Sequence, residues 1–67
     1  MADREVVIRD LDVVHRMKNH LAIILGFCEL LLEDLPPDDR RRGDIMEIKK
    51  AAGAACGDMP EISRRLS

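Results

Sequence analysis

His15, Lys18, Asn19 and His20 crowd into one short stretch and carry the residue types of a reactive site. An imidazole is a nucleophile and proton acceptor near neutral pH. An amide one turn away can orient water or a substrate oxygen. At 100° per residue, Val14, Met17, Leu21, Ile24, Cys28, Leu31 and Leu35 collect on one helix face, in the three-and-four spacing of a buried stripe. His15 falls well off the centre of that stripe, on a flank that faces solvent. Asn19 follows one turn later, over nearly the same patch of surface. His20 points about 140° from His15, so the two rings cannot converge on one metal ion, and His20 is expected to be structural or solvent-facing.

The elements that must hold these residues read as two helices and a turn. The first helix is expected over residues 4–35, with Asp3 as N-cap and Glu5 at the positive end of its dipole. Pro36 and Pro37 stop it, and the turn takes residues 36–38. Asp38 or Asp39 can cap a second helix over residues 39–66, which carries Ile45, Ile48, Ala52, Ala55, Met59, Ile62 and Leu66 in heptad spacing. Ala51, Ala52, Ala54 and Ala55 permit close approach of a neighbour. Pro60 lacks the backbone donor a helix needs and follows Gly57, so a bend or a break is expected over residues 57–60.

The chain has 67 residues, a single phenylalanine (Phe27) and neither tryptophan nor tyrosine, so one copy struggles to fill a core. Its 46% hydrophobic and 36% charged residues suit amphipathic helices that find the rest of their core in a second copy. The expected fold is therefore all-α, an antiparallel helical hairpin forming a single domain that dimerises into a four-helix bundle. A net charge of -2 gives no case for nucleic-acid binding. Arg40-Arg41-Arg42 follows Asp38 and Asp39 and reads as a solvated helix start. With no secretory pattern and no membrane span, because Glu29 interrupts the longest apolar run, the chain is expected in the cytoplasm. Cys28 and Cys56 would lie about 12 Å and 27 Å from the bend at 1.5 Å per residue, too mismatched for an intrachain disulfide. Each then acts as a small hydrophobe.

Taken together, these residues resemble the dimerisation and histidine phosphotransfer domain of two-component sensor histidine kinases. His15, Lys18, Asn19 and Leu21 match the family's phosphoacceptor motif on its first helix. Ala22 to Leu31 and Glu47-Ile48-Lys49-Lys50-Ala51-Ala52 resemble its continuation, so the likeness covers nearly the whole chain. It implies that His15 accepts a phosphoryl group and passes it to an aspartate on a response-regulator receiver. It also implies that Asn19 positions water when a receiver phosphate is hydrolysed. Arg16 and Lys18 flank the site as candidate phosphate contacts.

Two positions depart from the family. Arg16 stands where most members carry the acidic residue thought to act as base, although a second group of histidine kinases has His-Arg-x-Lys-Asn. His20 replaces the usual proline, so no kink is imposed there, and Pro60, near the level of His15, is expected to bend the hairpin instead. Gly26, Gly43, Gly53 and Gly57 form neither a P-loop nor a GxGxxG turn. No cofactor is expected in this chain. ATP and Mg²⁺ would arrive only with an ATP-binding kinase domain, in cis or in trans, or with the receiver, so no autonomous kinase activity is expected. Two other readings stay open: a docking or dimerisation module without chemistry, and a phosphatase module using Asn19 with no phosphohistidine.

Overall fold

The computed structural model describes residues 4–66 as two antiparallel helices, α1 (Arg4–Asp34) and α2 (Arg41–Leu66). The all-α hairpin expected from the sequence is the fold, and no strand occurs among the described residues. Asp3, the expected cap of α1, lies outside them. α2 continues as α-helix through Gly57 and Pro60, so the chain does not break there into two helices.

The turn is built from the residues the sequence singles out, with one addition. The Leu35 N–H donates to the Leu31 carbonyl at 3.0 Å, closing α1 before the two prolines. The Asp39 N–H then donates to the Pro36 carbonyl at 3.1 Å, which folds the chain back. Of the two candidate caps, Asp39 takes the role. Its Oδ1 accepts the Arg41 N–H at 2.8 Å, and its two carboxylate oxygens accept the Arg41 Nε and Nη2 at 3.0 and 2.7 Å. Because Asp39 stands outside the helix as its cap, α2 begins at Arg41, two residues later than expected.

Arg42 is the addition. α1 brings no basic residue to its own last turn, where carbonyls lack helical partners. Arg42 supplies the charge from α2, its Nη1 donating to the Leu32 and Leu35 carbonyls at 2.6 and 3.1 Å. The arginine run is thus more than a solvated start: two of its guanidiniums tie the turn together.

The buried apolar side chains are Val14 and Cys28 on α1 and Ile45, Ala52 and Met59 on α2. Half-buried Val7, Leu11, Leu21, Leu25, Leu32 and Leu35 complete the α1 side of the seam, and Arg42, Lys49, Cys56, Ser63 and Leu66 complete the α2 side. Each series steps by three and four, the pattern of facing heptads. Lys18 holds the remaining heptad place on α1 and stays exposed. Lys49 Nζ reaches Glu29 Oε1 at 3.9 Å across one edge of the seam. Both cysteines are free thiols, Cys28 buried and Cys56 partly so.

This seam corrects the stripe expected from periodicity. Val14, Leu21, Cys28 and Leu35 do face α2, but Met17, Ile24 and Leu31 are 43–47% exposed. On α2, Ile48 and Ile62 are likewise exposed, while Ile45, Ala52 and Met59 are buried. The physical reason is that each helix carries two overlapping heptad registers, and a two-helix hairpin covers only one of them.

The result is a rod measuring 54 × 14 × 11 Å with a radius of gyration of 15.9 Å. A compact chain of this length would have a radius near 11 Å. The rod exposes 5583 Å², against roughly 4,300 Å² for a folded monomer of this mass. None of the described side chains is fully buried.

Candidate functional site

α1 holds His15 at the start of its fourth turn, where the helix is continuous and the neighbouring seam residue Val14 is buried against α2. That anchoring fixes the rotation of α1 and so the direction of the imidazole. His15, Arg16, Lys18, Asn19 and His20 are all exposed. By helical rotation, Asn19 and His15 lie on the side of α1 turned away from the exposed Met17–Ile24–Leu31 stripe. His20 falls on the flank of that stripe, so the two histidines serve different surfaces. Lys18 sits at the seam margin, between His15 and α2.

The register across the hairpin follows from the Glu29–Lys49 contact. It places Leu31 level with Ile48, Ile24 with Ala55, and Met17 with Ile62. Rotation puts all six on the same side of the rod, opposite to the Glu29–Lys49 edge. The hairpin therefore has an apolar face in three layers and, on its other side, a mixed surface that carries His15 and the Glu29–Lys49 pair beside exposed Ile8 and Met46.

An open hollow of about 520 Å³ borders His15, lined by Arg9, Asp12, Val13, His15 and Arg16. Two guanidiniums and one carboxylate thus share a surface with the imidazole. Arg9 and Asp12 did not emerge from the motif, although Asp12 is three residues before His15, a spacing that makes helical neighbours. Arg42 was missed for a different reason: its partners are carbonyls on the other helix, which no local pattern reveals.

Elsewhere the electrostatics are those of a turn. The Arg41 guanidinium hydrogen-bonded to Asp39 lowers that carboxyl from 3.8 to about 2, and the pairing raises Arg41 in return. No group of three His, Cys, Asp or Glu among the described residues is arranged to hold a metal ion. No described helix is long and apolar enough to cross a membrane. No protein-family model, curated protein or solved structure matches the chain.

Proposed function

We propose that this chain is a dimerising phosphotransfer module of two-component signalling, in which His15 receives a phosphoryl group and hands it to a receiver aspartate. The observation that carries the reading is the division of the rod into an apolar face and an opposite face bearing an exposed imidazole. Phosphoryl transfer asks mainly for alignment and charge neutralisation. A nucleophile on a rigid helix, with Arg9 and Arg16 beside it, suits that demand. Asn19, one turn further on, is the water-positioning group for the reverse, hydrolytic direction.

The second copy follows from the uncovered layers. A hairpin with three apolar layers, exposed except at half-buried Ala55, and an excess of accessible surface lacks a lid, and two such faces close into a four-helix bundle. If each protomer covered its excess of about 1,300 Å², the dimer would bury roughly 2,600 Å², within the range of obligate homodimers. His15 of each protomer would remain outside, open to an ATP-binding kinase domain or a receiver. The reading implies a cytoplasmic location, where such partners work.

The test is incorporation of phosphate from MgATP in the presence of donor kinase domains, with and without a receiver. Acid-labile, base-stable label on the chain, absent in His15→Ala and chased onto the receiver, is the expected result. No label with several donors would favour the docking module instead. Faster loss of receiver phosphate that vanishes in Asn19→Ala but persists in His15→Ala would favour the phosphatase.

A further inference from the structure

The hollow beside His15 contains a single carboxylate, that of Asp12, and the phosphoacceptor reading above gives it something to do. We propose that Asp12 is the positioning residue of His15, accepting the N–H of one ring nitrogen so that the other presents its lone pair to phosphorus.

Three observations carry this. Asp12 and His15 line the same hollow, and their spacing of three puts them on adjacent turns. Helical side chains lean toward the N-terminus, so the His15 ring covers the turn that contains Asp12. The carboxylate is also uncommitted: ion pairs such as Arg41 to Asp39, Lys49 to Glu29 and Arg65 to Glu61 do not involve it. In this structure it is hydrogen-bonded neither to Arg16, its other neighbour one turn on, nor to the His15 ring, so the proposed bond forms on a side-chain rotation. The position directly after the histidine holds Arg16, which is a cation at all working pH values and cannot accept a proton. Asp12 is therefore the one carboxylate within a turn of the ring on α1.

An imidazole held by a carboxylate is fixed in one tautomer, and the charge it develops on attack is offset. The step balances as follows. The unprotonated ring nitrogen of His15 forms a nitrogen–phosphorus bond while the bond from phosphorus to the donor's leaving group breaks. The electron pair departs with that leaving group. The ring proton stays on the second nitrogen, hydrogen-bonded to Asp12, and Arg9 and Arg16 face the phosphoryl oxygens.

Phosphoramidate, a small nitrogen–phosphorus donor, lets the chain be tested without a partner kinase. The rate of His15 phosphorylation and the ring tautomer ratio by nitrogen NMR are measured for the whole chain and for Asp12→Asn, Asp12→Glu and His15→Ala. Helicity by circular dichroism checks that each variant is folded. The expected result is one dominant tautomer in the natural chain, a mixture in Asp12→Asn, and a rate about 10²-fold lower, a smaller loss than a buried tautomer-fixing aspartate causes in a serine-protease triad. Asp12→Glu should recover part of both. Equal rates, or a slower rate with the tautomer ratio unmoved, would overturn the role of Asp12 alone. A natural chain that takes no phosphate would overturn the phosphoacceptor reading and this inference with it.

Discussion

The two long sides of the hairpin are made from the same two helices and behave as different materials. One side presents Met17, Ile24, Leu31, Ile48 and Ile62, exposed but apolar. The other presents His15 and Asn19 together with the Glu29–Lys49 pair. The buried seam between them is narrow, with Val14, Cys28, Ile45, Ala52 and Met59 as its buried side chains. The seam is thin, and on the function proposed above the apolar side would bear on assembly and the side with His15 on chemistry. A division of that kind would let either job be altered without the other.

The largest effect that would break this comparison is on assembly. Ile24→Glu puts a charge in the middle layer of the apolar face, where covering an unpaired carboxylate costs several kcal/mol. Sedimentation equilibrium should find the natural chain dimeric and the variant monomeric, with an association constant lower by at least about 10³-fold. Ile8→Glu makes the same change on the His15 side and should leave the dimer intact. If Ile8→Glu dissociates it as well, the division into faces is wrong.

Next comes Pro60, which rotation places on the His15 side of α2. It offers no N–H to the Cys56 carbonyl, so the helix there lacks one rung. Pro60→Ala restores the donor and should raise thermal stability by up to about 3 kcal/mol. The dimer and the site should be unchanged, because neither the apolar layers nor His15 contain that residue. A change of oligomeric state in this variant would mean that Pro60 shapes the interface.

A smaller effect is expected at the turn, which sets the rotation of both helices. Arg42→Ala removes two charge-assisted hydrogen bonds to α1 carbonyls. Urea unfolding should report a loss of about 1.5–3 kcal/mol, with the sign destabilising at all salt concentrations. The smallest effect is the titration of Asp39. Its carboxyl is lowered to about 2 in the folded chain from 3.8, so its contribution is complete above the unfolded value and is lost as pH falls through about 2. The stability gap between the natural chain and Asp39→Asn should hold steady down to pH 5 and close between pH 4 and pH 2.

Much of this fold was legible in the order of residues. Helix starts and stops follow from Pro36, Pro37 and the aspartates, because proline geometry and side-chain capping act within a few residues. The unpaired state of Cys28 and Cys56 follows from counting residues on either side of the turn. The exposure of His15 also follows, since it lies off either candidate seam. Asp12 and Arg9 were within reach of the same reasoning through their spacing from His15, but a motif directs attention forward along the helix and they precede it.

Local sequence therefore determined that there are two amphipathic helices, where they turn, and which residues with reactive side chains stand clear of the core. Only the packing of α1 against α2 decided which heptad register is buried. The two registers share Val14, Leu21, Cys28 and Leu35, so hydrophobic period alone is degenerate between them. That degeneracy is lifted by contacts distant in sequence, Arg42 on the carbonyls that end α1 and Lys49 beside Glu29. These fix the angle at which one helix meets the other, and with it the apolar face that is left uncovered.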